Sequence, residues 1–259
     1  MIKNYLLFIK SLFFRYYIEI IKNKEDKLKK VSVLLVFLLG FVVFPVTVFA
    51  ASSPSVSYQT NVQSQGWQSW KTNAQTSGTT GKGKRLEAIK IKITNEKYKG
   101  SIEYKTFIQK QGWEKSFRKN GALSGTSGKG QRLEAIQIKL TGEIAKYYDV
   151  YYRVNAQQFG WMGWAKNGQS SGTSGFGFQL EAIQIKLVKK GGKAPGTTNN
   201  GFRDGLKKYV DKRGKGLIKG SKQKIYHLPG SQYYKKTTSP IRMFKTEVEA
   251  YKAGFRPAK

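Results

Sequence analysis

Three pairs of aromatic residues are the groups in this chain best suited to bind a ligand. They are Trp67 with Trp70, Trp113 with Phe117, and Trp161 with Trp164, and each pair is followed by an asparagine, Asn73, Asn120 or Asn167. An indole has an apolar face that stacks on the apolar face of a sugar, and an Asn amide can donate to and accept from hydroxyls. The first member of each pair follows a glycine in every copy, which suggests a shared core position for Trp67, Trp113 and Trp161. The second members, Trp70, Phe117 and Trp164, sit nearer the Asn and are read as exposed platforms. With Asn73, Asn120 and Asn167 they form the candidate glycan site. Turn geometry alone also favours Asn before Gly, and for the three Asn that reading is preferred.

Other chemistries are poorly supplied. The chain has no Cys, so it offers no thiolate and no disulfide. Its single histidine, His227, excludes a zinc site built from Cys and His. His227 lies in the frame Tyr226-His227-Leu228-Pro229 with no nucleophile or acid beside it, so a packed side chain is expected rather than a general base. Gly81-x-Gly83 and Gly128-x-Gly130 precede strands, not helices, which removes a dinucleotide reading. No catalytic residue, cofactor or metal is expected, and the chain reads as a non-enzyme.

The aromatic pairs are carried by a repeat. Gly78, Gly125 and Gly172 are spaced by 47 residues, as are Asn73, Asn120 and Asn167, and Glu87, Glu134 and Glu181. A fixed period of this size marks one structural unit repeated, with apolar faces that neighbours must cover. The units run over 56–93, 102–140 and 150–187. Each opens on a strand near Val56–Val62, Ile102–Ile108 or Val150–Ala156, rich in Tyr and β-branched residues. Each closes on Arg85–Ile93, Arg132–Leu140 or Gln179–Leu187, where Ile alternates with Lys or Gln as in a half-buried strand. No helical periodicity occurs in the array. The expected fold is mainly β: three units in a pseudo-threefold, β-prism-like body, with a β-trefoil-like body as the alternative. Glu87, Glu134 and Glu181 fall on the apolar face by strict alternation. Either a bulge near Ala88 turns the carboxylate outward, or it is buried with hydrogen-bond partners, or it meets sugar hydroxyls.

The motif Gln65-Gly66-Trp67-Gln68-x-Trp70, then Asn73, Gly78-Thr79 and Arg85-Leu86-Glu87-Ala88-Ile89, resembles the clostridial hydrophobic-tryptophan (ChW) repeat. It recurs from Gln111-Gly112-Trp113 to Arg132-Leu133-Glu134, and from Phe159-Gly160-Trp161 to Leu180-Glu181-Ala182. Copy two has Phe117 for the second Trp, copy one has Ala74 after its Asn, and copy three has Gln179 for Arg. The resemblance implies a secreted or surface-displayed module of a Gram-positive bacterium, linked to cell-surface interaction and polysaccharide binding.

The remainder is strongly basic. Residues 51–188 carry a net charge of +12, and residues 189–259 carry +15 in half that length. Such a cation attracts polyanions, including teichoic acid, anionic glycans and nucleic acid. Residues 189–217 read as a basic flexible linker with a short helix at Phe202–Asp211. Residues 218–259 contain Lys224-Ile-Tyr-His-Leu-Pro-Gly230 and Ala253-Gly-Phe-Arg-Pro257. They resemble a small α+β module, the sunset domain, found at the C-termini of secreted nucleases. That module is distantly like a zinc-binding domain, but the cysteines are absent here, so metal is not carried over. Its core is expected from Ile225, Tyr226, Leu228, Tyr233, Tyr234, Phe244 and Phe255, and its helix from Glu247 to Ala253. Lys222, Lys224, Lys235, Lys236, Arg242 and Lys245 are the polyanion-binding candidates.

Residues 1–50 read as a signal segment. Lys27, Lys29 and Lys30 precede the apolar run Val31–Phe44, and Val48-x-Ala50 fits a signal-peptidase site. Alternatives remain for this stretch. In one the start falls near Leu28, and in the other an apolar helix over 31–49 stays as a membrane anchor. Cleavage after Ala50 predicts that N-terminal sequencing of the exported protein begins at Ala51. An intact 29.3 kDa membrane-bound species would rule it out.

Overall fold

The computed structural model describes residues 12–16, 53–94 and 97–258. The chain divides into two units, Met1–Ala50 and Ala51–Lys259. In the first, only Leu12–Tyr16 are described, and they are helical. The apolar run and the expected cleavage site lie outside the described residues. No helix among those described is long and apolar enough to cross a membrane.

The second unit is mainly β, in several sheets, none closed into a barrel. Each repeat builds a long antiparallel hairpin from its opening and closing strands. The pairs are Ser55–Val62 with Leu86–Thr94, Gly100–Ile108 with Leu133–Gly142, and Tyr148–Ala156 with Leu180–Lys189. Both expected strands of each repeat are therefore present. The spacer before repeat three adds one helical turn, Ile144–Tyr147, that alternation did not suggest.

The repeats are joined by an exchange that runs in a ring. Ser77–Gly78 of repeat one pairs with the closing strand of repeat three. Ser124–Gly125 of repeat two pairs with that of repeat one, and Ser170–Ser174 of repeat three with that of repeat two. Each glycine has positive φ, between 97° and 115°. An added Cβ would lie 2.4–2.5 Å from the carbonyl oxygen of Glu181, Glu87 or Glu134, so only glycine permits the approach. The following Thr79 and Thr126 amides donate to the carbonyls of Glu181 (2.8 Å) and Glu87 (2.7 Å). A second bond per joint follows the same ring: Ala74, Gly121 and Gly168 amides donate to the Ile185, Ile91 and Ile138 carbonyls, each at 2.7 Å. Ala74 holds φ of 67° where the other copies have Gly, a conformation unfavourable for a residue with a Cβ.

At the centre lie Tyr58, Tyr104 and Tyr152, all fully buried. Tyr104 donates its hydroxyl proton to the Ala122 carbonyl and accepts from the Ile91 amide of repeat one at 3.0 Å. Tyr58 does the same with the Gln75 carbonyl and the Ile185 amide of repeat three at 3.1 Å. Around them pack Ile89, Ile91, Ile136, Ile138, Ile183 and Ile185, the inward residues of the closing strands. Within a repeat, Thr60 on the opening strand meets Ser77 on the exchanged strand at 2.9 Å, and Thr106 meets Ser124 likewise at 3.0 Å. Repeat three has Val154 at the matching position, and the Ser171 hydroxyl is left buried without a partner.

The 189–217 segment is not a free linker. Phe202–Asp204 forms a strand parallel to Gly172–Ser174, where a helix over 202–211 was expected. The extended backbone is set by the neighbouring strand, which offers an unpaired edge that helix formation would waste. The tail beyond it forms a four-stranded sheet from 218–220, 225–227, 242–244 and 256–257, with a helix at Glu247–Lys252. Thr246 and Glu249 form a reciprocal capping box on that helix. Ile218, Tyr226, Phe244, Ala250 and Phe255 are its buried core. Tyr233 does not belong to that core. It is 44% exposed, while Tyr234 is half-buried and donates to the Leu217 carbonyl at 2.7 Å. The small core is supplemented by docking on repeat three. Tyr251 meets Phe178 edge-on at 4.7 Å, and Phe178 stacks on Phe176. The buried Glu247 carboxylate accepts from the Arg203 guanidinium and from the Tyr226 hydroxyl.

Burial pushes the Tyr58 and Tyr104 phenols from 10.0 up to about 12. The neutral form is the one the folded state favours. Their contribution is therefore complete below pH 10, where phenols in the unfolded chain begin to ionise, and is lost as pH rises toward 12. Thermal melts across pH 8–12 should show Tm falling from about pH 10. Tyr104→Phe leaves the Ile91 amide and the Ala122 carbonyl unpartnered, and should cost about 1–3 kcal/mol. A Tyr104→Phe protein as stable as wild type would remove the phenol from the inter-repeat joint.

Candidate functional site

The aromatic pairs lie on the outer side of the hairpins, each with a cation over the rings. Lys90 sits over Trp67 at 4.7 Å and Lys92 over Trp70 at 4.5 Å. In repeat two, Lys105 lies over both Trp113 and Phe117, at 5.5 and 5.0 Å. In repeat three, Arg153 lies over both Trp161 and Trp164, at 4.9 and 5.0 Å. The cation over the Gly-Trp ring does not come from one fixed position. Gln59 pairs with Lys90 across the first hairpin, Lys105 with Gln137 across the second, and Arg153 with Gln184 across the third. One cross-strand pair thus always holds one cation and one Gln, and the two strands trade roles. The charge stays over the indole in every copy, a contact worth about 0.5–1 kcal/mol where exposed.

This geometry departs in part from the expected division of the aromatics. Trp67, Trp113 and Trp161 are half-buried and belong to the outer face, not to the core. The buried aromatic position in each repeat is taken by a tyrosine, Tyr58, Tyr104 or Tyr152, whose hydroxyl has a backbone partner there. Trp70 is 39% exposed as expected, and Phe117 is half-buried. Trp164 is only 4% exposed. The chain's own segment lies over it: its amide donates to the Thr197 carbonyl at 2.8 Å, and a Cβ added to Gly196 would lie 3.1 Å from the indole nitrogen. Repeat three has Gly163 where repeat one has Ser69, and a Cβ there would meet the Asn199 carbonyl oxygen at 2.0 Å. The third platform is closed by residues 196–201.

Asn73, Asn120 and Asn167 all adopt positive φ, 40–43°, as turn residues. Two of their side chains are already engaged. Asn120 Oδ1 accepts from the Ile102 amide at 3.0 Å and Asn167 Oδ1 from the Val150 amide at 2.9 Å, which tie the turns to the opening strands. Asn167 Nδ2 also donates to Asp149. Asp149 faces Lys166 and Lys190, and although burial works against it, these partners hold its carboxyl down to about 2.

Glu87, Glu134 and Glu181 sit at bulges, each the extra residue opposite the end of an opening strand. The bulge does not turn them out to solvent: all three are buried. Arg85 and Arg132, two residues earlier, each donate Nε to the following Glu at 2.9 Å, and Gln179 donates to Glu181 at 3.0 Å. The partner is therefore a local side chain rather than a backbone amide or an indole. The Arg-to-Gln change in copy three preserves the bond while dropping the charge.

Lys222, Lys224, Lys235, Lys236, Arg242 and Lys245 are all exposed, on turns and strand ends around the tail sheet. Among the described residues none of the six forms an ion pair with a carboxylate. Lys236 lies over the exposed Tyr233 ring at 5.3 Å. His227 is buried, its Nδ1 has no partner, and burial pushes its pKa down. The docking residues Phe159, Phe176 and Phe178 were not singled out from sequence. Their signal is present, since copies one and two have Gln65 and Gln111, Lys82 and Lys129, and Lys84 and Gln131 in those places.

Trp164→Ala should cost several kcal/mol, about 3–5, because it empties a buried site under the 196–201 segment. Trp70→Ala should stay within about 0.5 kcal/mol of wild type. Chemical denaturation of the two variants checks this, and equal losses would contradict the difference in covering.

Residues 61–95, 107–142 and 155–189 each match the family described as ChW, clostridial hydrophobic W. No curated protein and no solved structure matches the chain. The C-terminal module lies outside the matched residues. Each hairpin of the ring thus carries one stretch that matches the ChW repeat, and ChW repeats are generally cell-surface repeat domains.

Proposed function

We propose that the protein is a non-catalytic, secreted or surface-displayed binder of wall or extracellular polysaccharide. Repeats one and two are its working platforms, Trp67 with Trp70 and Trp113 with Phe117. The observation that carries this reading is the cation held over the Gly-Trp ring in every copy, although its strand of origin changes. Each ring stays partly exposed beside the charge, where a sugar can reach it, and the cation suits acidic units. We read the ring of exchanged strands as a pseudo-threefold body of prism type, since the sheets stay separate. Repeat three serves instead as the dock for the tail, so the binder is bivalent. The exposed Lys and Arg of the tail hold teichoic acid or a similar polyanion beside it.

The exposure of Tyr233 beneath Lys236 favours a second reading, in which the sunset-like tail binds single-stranded nucleic acid by charge and stacking. Tyr233→Ala weakens oligonucleotide binding only under that reading.

Two linked sites raise apparent affinity by about 10²–10⁴ over one. Calorimetry with purified wall polysaccharide should therefore show Trp70→Ala losing most of the avidity, and Trp70→Ala with Phe117→Ala losing binding altogether. A double variant that binds like wild type would end the platform reading.

A further inference from the structure

A cleft of about 900 Å³ opens where repeat three, the 196–203 segment and the last strand meet. Arg153, Trp161 and Met162 line it from the repeat, Asn199 and Arg203 from the segment, and Arg256 from the last strand. A neighbouring hollow of about 580 Å³ shares Asn199, Asn200, Arg203 and Ala258 with it. The cleft falls in the size range of small-ligand sites.

Its charge is one-sided. No Asp or Glu lines either hollow. Arg203 is neutralised by Glu247. Arg153 and Arg256 form no ion pair among the described residues; Arg153 rests on two indoles and donates Nε to Gln184 at 2.8 Å. Two guanidinium groups without counter-charge, one from the repeat and one from the last strand, line the same concave site, and each can fork onto a carboxylate or phosphate. Between them the half-buried Trp161 offers a single ring face, and Asn199 and Asn200 offer amides. One ring with adjacent amides suits a hydroxylated sugar. A nucleobase favours more stacking surface than this one indole provides.

We infer that this cleft binds a saccharide unit bearing an anionic group, with Arg153 and Arg256 on the anion and Trp161 under the sugar ring. The site is separate from the platforms of repeats one and two, although it shares with that reading the stacking of sugar on indole.

The test is calorimetry on the full chain at physiological salt, with trigalacturonate, its neutral galactose counterpart, glucose 1-phosphate and oligo-dT as probes. Trigalacturonate or glucose 1-phosphate should bind, and which one binds identifies the anion as carboxylate or phosphate; the neutral trimer should not. Arg256→Gln, on an exposed side chain whose loss leaves the melt unchanged, should weaken that binding about tenfold or more, and Arg153→Gln should do likewise. Lys212→Gln, a charge removed elsewhere, should have no effect. Three results would overturn the inference. They are equal losses in Arg256→Gln and Lys212→Gln, displacement of the acidic sugar by oligo-dT, and no binding by either anionic probe.

Discussion

The approach of one glycine to one carbonyl recurs at each of the three joints, and the ring depends on it. Gly78, Gly125 and Gly172 bring the backbone of one repeat against the Leu-Glu-Ala-Ile strand of another, closer than any side chain allows. That contact lets the next amide bond across the joint. It also brings each closing strand close enough for a central tyrosine to reach a neighbour's backbone amide. The bulge at each Glu belongs to the same device, since the residue whose carbonyl faces the glycine is the bulged one. The motif's most regular letters are therefore joint residues first. A single repeat leaves its glycine strand without a partner and its tyrosine hydroxyl half-satisfied, which is why the unit comes in a set.

The hairpins were legible in the sequence because their physics is local. Alternation of Ile with Lys or Gln declares a half-buried strand, and Asn before Gly declares a turn. The capping box at Thr246 and Glu249 is local in the same way. What escaped the sequence was set by distant parts of the chain. The Gly-Trp residues recur in every copy, and recurrence alone does not separate a buried position from a surface one. In fact the recurring requirement is a cation over the ring, supplied from either strand. Trp164 was expected to be exposed by analogy with Trp70, yet the 196–201 segment covers it. The two clues were small: Gly163 in place of Ser69, and three phenylalanines in place of Lys and Gln. Both become visible when the copies are compared by their differences as well as their shared letters.

Repeat three has also diverged inside the core. Val154 replaces the Thr of the other copies, and Ser171 is left buried and unpartnered, a flaw that unpaired polar groups make costly. The same repeat gained the most contact with the tail, through Phe178 with Tyr251 and through the Arg203–Glu247 pair beside it. The tail in turn has a core of only a few side chains, too small to stand alone at that length. Each of the two carries a deficit, and their mutual docking brings apolar surface to both.

Closure of the ring has a consequence for how such a protein can change. An open stack of repeats can lengthen by one unit, because each new unit needs only a neighbour on one side. Here the strand of repeat one returns to repeat three, so a fourth copy inserted in the chain would have to break a joint and re-pair the strands on both sides of it. Copy number is locked at three. Variation must then come from altering individual copies in place, or from joining whole rings end to end, and the divergence of repeat three into a dock is the first of these routes.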